Sequence, residues 1–262
     1  MTERTAVGYI WISPDNKDPQ ALIEQDEKIV SDYCKTNNIS FLKTFSDIGV
    51  TGPAIDRPEL NQMLEFIKEK NINIVVVGSL GNFGRRFHDS LTIMNKLTEK
   101  NIDMHSISEN FGTLTEEGRS ILKSLSKITE LTQKIIPLKT ERRRKRAREV
   151  AYAGGACPYG YKIDEKTNQY VIIPEEAAIV RRIFRERLAG RSLRQIAGDL
   201  TKEGVTTKRG GRWQANTIKT ILENIFYTGV YQFHDNIYPD DHDEIISEHV
   251  FYLVNAMEDK GD

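Results

Sequence analysis

The chain has 262 residues, 39% of them hydrophobic, and its 37 Lys and Arg against 38 Asp and Glu leave a formal net charge of −1. That length holds one large domain or two ordinary ones with packed cores, while two distant cysteines, Cys34 and Cys157, with no C-x-x-C pattern and no histidine pair at ligand spacing, suggest neither a disulfide framework nor a zinc site. No metal and no cofactor is expected, and the lack of a leader-like start or a membrane-length apolar run reads as a cytoplasmic protein with no membrane partner.

From the N-terminus, "AVGYIWI" (6–12), "ISFLKTF" (39–45), "INIVVV" (72–77) and "IDMHSI" (102–107) read as strands, separated by amphipathic stretches around 20–37, 58–70 and 88–100. This alternation predicts an α/β domain with a mainly parallel sheet and helices on its faces. In such sheets the working residues lie on loops after the strands. Ser13 follows the first strand, and "SLGNFGRRF" (79–87) follows the third, where an α/β protein would hold a phosphate. Gly81 and Asn82, however, carry no charge there.

Thr113 and Glu116 in "TLTEEGRS" fit a capping box opening a long helix, along which Ile121, Leu125, Ile128, Leu131 and Ile135 form an apolar stripe. Pro137 interrupts it at a cost of about 3 kcal/mol in a helix interior, predicting a kink or break at Ile136 and a restart over "LKTERRRKRAREV". "AGGACPYGYK" (153–162) reads as a glycine-rich hinge. Beyond it, "PEEAAIVRRIFRERLAG" ends at Gly190, "SLRQIAGDLTKEG" is capped by Ser192 and closed by Gly204, and "NTIKTILEN" is a third helix. Three short helices in this order, with "TTKRGGRW" before the last, resemble a helix-turn-helix module. The predicted organisation is an α/β domain over 1–112, a long helix with a basic arm over 113–152, and a mostly helical DNA-binding domain over 153–262. Trp213 and Tyr227 read as core anchors.

The small net charge conceals an uneven distribution. Residues 1–138 carry 16 basic and 19 acidic side chains, 139–149 carry 7 and 2, 158–238 carry 13 and 9, and 239–262 carry 1 and 8. Basic charge concentrated in the middle of a chain is an electrostatic footprint for nucleic acid. The run Arg142, Arg143, Arg144, Lys145, Arg146 and Arg148, with Lys208, Arg209 and Arg212 before the last of the three helices, supplies the candidate phosphate contacts.

These residues, taken together, resemble the large serine recombinases, which join a resolvase/invertase catalytic domain to a recombinase domain. The family's Y-A-R-V-S stands as "YIWIS", its F-x-D-x-G-x-[ST]-G as "FSDIGVTG" (45–52), followed by "DRPEL" (56–60). "CPYGYKID", "IIPEEAAIVRRIF", "RSLRQIAGDLTKEGV", "RGGRWQANTIKTILENIFYTGVY" and "EIISEHVFYLV" follow the order of the recombinase domain. The resemblance implies a metal-free attack of a serine hydroxyl on a DNA phosphodiester, giving a 5′-phosphoseryl linkage, with arginines meeting the developing charge. By position, Ser13 is the nucleophile, and Arg57 and Arg85 stand at two of the arginine positions. Trp11 replaces the arginine two residues before the serine, and the family's L-D-R-[LI]-[SG]-R becomes "LGNFGR", with Gly81 and Asn82 where an aspartate and an arginine belong. The family's glutamate-arginine pair falls at Leu138 and Lys139. Large members continue into a cysteine-rich zinc module and a coiled coil, so the chain resembles a degenerate and C-terminally short member.

The expected function is DNA binding with strand cleavage lost or severely weakened, as a regulator or a subunit modulating an active recombinase. Two alternatives stand beside it: an active serine recombinase with a rearranged cationic site, and a protein-interaction module pairing with an intact recombinase. Double-stranded DNA is the expected partner, with a homodimer or a hetero-assembly with an intact recombinase as the protein assemblies.

Overall fold

The computed structural model describes residues 4–13, 16–49, 57–84, 86–133, 157–167, 169–233, 236–238 and 242–257. Internal contacts divide the chain into two units, Met1–Thr129 and Glu130–Asp262.

The first unit is a five-stranded sheet built from β1 (Thr5–Ile12), β2 (Ser40–Ile48), β3 (Ile74–Val77), β4 (Asp103–Ser106) and β5 (Phe111–Gly112). The strand order is β2-β1-β3-β4-β5; the first four are mutually parallel and β5 runs antiparallel to β4. Ile74, Val75, Val76 and Val77 are all buried, as expected of a central parallel strand covered on both faces. The two-residue β5 is too short to leave a periodic trace in the sequence. Helices α1 (Pro19–Thr36), α2 (Pro58–Lys70) and α3 (Phe87–Glu99) lie where the amphipathic stretches predicted them.

All three helices stop in the same way. Asn38, Asn71 and Asn101 adopt left-handed φ values of 55°, 52° and 57°, and each is followed by a buried isoleucine, Ile39, Ile72 and Ile102. The isoleucine N–H donates back five residues, to Cys34 O at 2.9 Å, Ile67 O at 3.0 Å and Leu97 O at 2.9 Å. This is a Schellman closure with asparagine in the glycine position. The recurring Asn-Ile pairs therefore turn each helix back into the sheet, at the amino ends of β2, β3 and β4.

Helix α4 (Glu116–Gln133) begins differently from the sequence expectation. Thr113 does not cap it: its buried hydroxyl accepts from Met104 N and donates to Asp103 Oδ1, both at 3.0 Å, and is spent on the sheet edge. Thr115 takes the capping role, accepting from Gly118 N at 3.1 Å. Leu122 and Leu125 carry the buried face of the first turns, with Ile121 half-buried. The side chains of Ile128 and Leu131, together with Ile135, Pro137 and the restarted helix, lie outside the described residues.

The second unit contains two small hairpins, β6 (Tyr161–Ile163) with β7 (Tyr170–Ile172) and β8 (Tyr231–Phe233) with β9 (Asn236–Tyr238), and helices α5 (Pro174–Leu188), α6 (Leu193–Lys202), α7 (Ala215–Leu222) and α8 (Glu248–Ala256). Ser192 forms a full capping box with Gln195. Gly190 and Gly204, at φ 80° and 75°, close α5 and α6 as expected, with Arg191 N and Val205 N donating back to Glu186 O and Leu200 O. Its core gathers Tyr161, Phe184, Trp213, Phe226, Tyr227 and Phe251. Of the glycine-rich stretch 153–162, the described part from Cys157 onward is packed structure: Tyr161 is fully buried and its hydroxyl donates to Asp243 O at 2.9 Å. α6 and α7 are separated by residues 203–214, longer than the roughly 3–4-residue turn of a helix-turn-helix.

Candidate functional site

The order β2-β1-β3 reverses direction between β1 and β3, and ligands in open α/β sheets bind at that point, outside the carboxyl ends of the strands. A cleft of about 330 Å³ lies there, lined by Ser13 and Trp11 from the end of β1, Gln25 and Asp26 from α1, and Ser79 and Asn82 from the loop after β3. Ser13 is half-buried, and its carbonyl accepts from Asn16 N at 3.1 Å. The structure thus brings the predicted nucleophile and the loop 79–84 to one place. Arg85 lies outside the described residues; Arg86 is exposed at the N-cap of α3.

Arg57 is not a cation of this cleft. It is 2% exposed, it donates through Nη1 to the Phe83 carbonyl, and its guanidinium carbon lies 5.6 Å from the centroid of the Trp11 ring. Gly84, at φ 156°, leaves room for it: a Cβ there would come within 2.8 Å of Arg57 Nη2. Next to it, Tyr9 Oη donates to Asp47 Oδ2 at 2.8 Å, and Asp47 also accepts from Glu59 N at 3.1 Å and Leu60 N at 3.0 Å. The aspartate of "FSDIG" therefore caps the first turn of α2. Burial holds the Tyr9 hydroxyl well above the usual phenol range, with Arg57 opposing and Asp47 reinforcing the shift.

Asn82, at the position of a family arginine, donates through Nδ2 to Asp26 Oδ1 at 2.6 Å and accepts from Ser79 Oγ at 3.0 Å. Asp26 is buried, and its other carboxylate oxygen has no hydrogen-bond partner. Burial raises the Asp26 carboxyl above its ordinary range, and the bonds from Asn82 and the Gly78 backbone oppose the rise. Gly81, half-buried, sits inside the single 3-10 turn Leu80–Phe83. That turn is anchored by the buried Glu109, which accepts from Leu80 N at 3.0 Å and from Ser106 Oγ; burial raises its carboxyl as well.

Sequence reasoning passed over Asp26 and Glu109. Asp26 was visible as an acid on the buried face of α1, four residues before Val30 and eight before Cys34. Glu109 lies in an irregular turn and left no periodic signal.

In the second unit a groove of about 620 Å³ is lined by Arg209, Arg212, Gln214, Asn216, Thr217 and Thr220, over the aromatic rings of Tyr159, Trp213 and Tyr227. Trp213 and Tyr227 are 5% and 1% exposed, the core anchors expected. Lys208 also borders it, but its Nζ is engaged internally, donating to Tyr161 O at 2.7 Å and pairing with Glu176 Oε2 at 2.9 Å. Arg209 and Arg212 are exposed and form no ion pair among the described residues. The run Arg142, Arg143, Arg144, Lys145, Arg146 and Arg148 lies outside the described residues. No group of three His, Cys, Asp or Glu that would hold a metal occurs among the described residues, and no described helix is long and apolar enough to cross a membrane.

Ser13 thus stands at the carboxyl end of β1, beside the loop after β3 at the switch point of the sheet. The family model described as Resolvase, N terminal domain, matches residues 6–152, and the one described as Recombinase matches residues 174–260. The chain belongs to the serine recombinase family, with the resolvase domain first and the recombinase domain after it. A Bacillus subtilis (strain 168) protein described as "Putative DNA recombinase" is 27% identical over 212 residues, 78% of this chain and 42% of that protein. The Transposon Tn552 resolvase of Staphylococcus aureus is 29% identical over 115 residues, 43% of this chain and 57% of that protein. Among solved structures, the N-terminal catalytic domain of TP901-1 integrase aligns with a TM-score of 0.44 at 22% identity, covering 51% of this chain and 98% of that domain. The chain spans about half the length of these two curated relatives.

Proposed function

We propose that this chain is a DNA-binding serine recombinase family member whose strand cleavage is lost or severely weakened, acting as a regulator or as a subunit that modulates an active recombinase. The observation that carries this reading is the fate of the cations. A serine attacking a phosphodiester loads negative charge onto the phosphoryl oxygens, and preorganised cations must meet it; removing one such donor commonly costs about 10²- to 10³-fold in rate. Among the described residues lining the Ser13 cleft there is no Lys or Arg, and the one ionisable group is Asp26. Trp11 and Asn82 hold two arginine positions, Arg57 at another is folded under Trp11, and Arg85, which keeps a further one, lies outside the described residues. Such losses are not additive, yet each acts in the same direction.

DNA binding is supported by the basic run over 139–149 and by the exposed Arg209 and Arg212. The test has two parts. The purified chain is incubated with a randomised duplex library and denatured; no covalent protein-DNA species is expected, and an adduct abolished by Ser13→Ala would overturn the impaired-enzyme reading. Binding is then titrated across salt, with the expectation that replacing Arg142, Arg143 and Arg144 by alanine weakens affinity for all sequences and flattens the salt slope.

A further inference from the structure

Helix α7 has one buried and one open face. Ile218, Ile221 and Leu222 enter the core, while Gln214 at the N-cap, Asn216 and Thr220 are exposed along the groove. The side-chain amides of Gln214 and Asn216 make no hydrogen bond among the described residues, whereas Thr220 Oγ1 is turned back onto Asn216 O at 2.9 Å. The described lining of this groove includes Lys208, Arg209 and Arg212 and no acidic residue.

The loop that carries the cations is a built feature. Thr207 N donates to Gly211 O at 3.1 Å and Gly210 N to Thr207 O at 2.8 Å, with Gly210 at φ 75°, so residues 207–211 form a closed turn. Lys208 fixes that turn to the rest of the unit through Tyr161 O and Glu176. At the other end, Trp213 N donates to Thr201 Oγ1 at 3.2 Å, and the ring packs edge-on against Tyr159 at 5.1 Å. Arg209 and Arg212 are thereby presented from a rigid support beside the start of α7.

We propose that α7 is the sequence-reading helix of this protein, with Asn216 and Gln214 recognising adenine edges in the DNA major groove. Arg209 and Arg212 hold the flanking phosphates, and Lys208 is a positioning residue for the turn rather than a DNA contact. The proposal rests on the DNA-binding reading above and deepens it. The chemistry is direct: the major groove admits an α-helix, and a carboxamide offers one donor and one acceptor that match adenine N7 and N6 in a bidentate pair. A guanidinium on a phosphate fixes register without reading sequence. The start of α7 adds its own favourable dipole to the arginine field.

The experiment selects bound sequences from a randomised duplex library with the intact chain, the Asn216→Ala and Gln214→Ala variants, and Arg212→Ala. The wild type is expected to enrich a motif containing adenine; Asn216→Ala or Gln214→Ala should lose discrimination at one or two adjacent positions by about 5- to 150-fold, with affinity for non-specific DNA little changed. Arg212→Ala should weaken all sequences alike and lower the salt slope by about one unit. A wild-type motif that survives in both amide variants would overturn the reading-helix assignment while leaving DNA binding intact. Absence of any wild-type DNA binding would instead overturn the broader reading, and this assignment with it.

Discussion

Arg57 stacks on Trp11, its guanidinium carbon 5.6 Å from the ring centroid, while its Nη1 donates to the Phe83 carbonyl. The pair joins the N-cap of α2, the end of β1 and the turn after β3. A cation in this setting acts as a structural tie: its charge faces a ring and a carbonyl, and only 2% of its surface meets solvent.

If Arg57 is structural, Arg57→Met should lower stability by about 2–3 kcal/mol, because the Phe83 carbonyl loses a charged donor although much of the packing volume is kept. Urea unfolding measures this. Unchanged stability with weakened DNA binding would return Arg57 to the phosphate-contacting role that its sequence position suggests.

The first unit should become less stable as pH rises out of the acid range. Burial raises both Asp26 and Glu109, so their folded forms disfavour ionisation; the stability linked to them is fully present below the ordinary carboxyl range, around pH 4, and is lost as pH rises through their raised folded values. Asp26→Asn should therefore stabilise this unit at pH 7 and make little difference at pH 4. Hydrogen exchange of the β3 amides reads the unit directly, and a gain of equal size at both pH values would refute the linkage.

The second unit should respond in the opposite direction. Burial pushes the His249 imidazole down to about 4, so it stays neutral in the fold while the unfolded chain takes up a proton near pH 6.5. Its contribution is complete above pH 6.5 and is lost as pH falls toward 4, on the order of 3 kcal/mol over that window. Exchange protection of the α8 amides should fall accordingly, and His249→Phe should flatten the response.

Gly118 sits where α4 starts against β5. A Cβ at this position would lie 1.8 Å from the Gly112 carbonyl oxygen, too close for any side chain without backbone movement. Gly118→Ala should cost more than about 2 kcal/mol despite alanine's better helix propensity, and should loosen the first turn of α4. A thermal midpoint equal to or above that of the wild type would show that the helix start yields freely.

The salt-bridge network between α5 and α6 provides a milder case. Arg182 pairs with Glu186 at 2.7 Å and with Glu203, while Arg191 pairs with Glu186 at 2.7 Å and with Asp199. Arg182→Met should cost about 1 kcal/mol at low salt and less at high salt, since these groups are partly exposed and screened. Unfolding titrations at two salt concentrations would separate this from a salt-independent packing loss.

By itself the sequence determined the elements whose signals are local. Strand and helix alternation, the helix stops at Gly190 and Gly204, the cap at Ser192, the uneven basic charge and the family motifs are all carried by neighbouring residues, where periodicity and backbone preference act. The Asn-Ile closures are legible in the same way, as the pairs Asn38-Ile39, Asn71-Ile72 and Asn101-Ile102. Only the tertiary structure decided the use of individual side chains. Thr113 has the spacing of a cap, yet Met104 and Asp103 claim its hydroxyl; Lys208 has the look of a phosphate contact, yet Tyr161 and Glu176 hold its ammonium. Arg57 occupies a cationic position in the motif and is turned inward by Trp11 and Phe83. In each case the competing partner lies on another element, so the strength of that contact depends on distance and burial that no local pattern encodes.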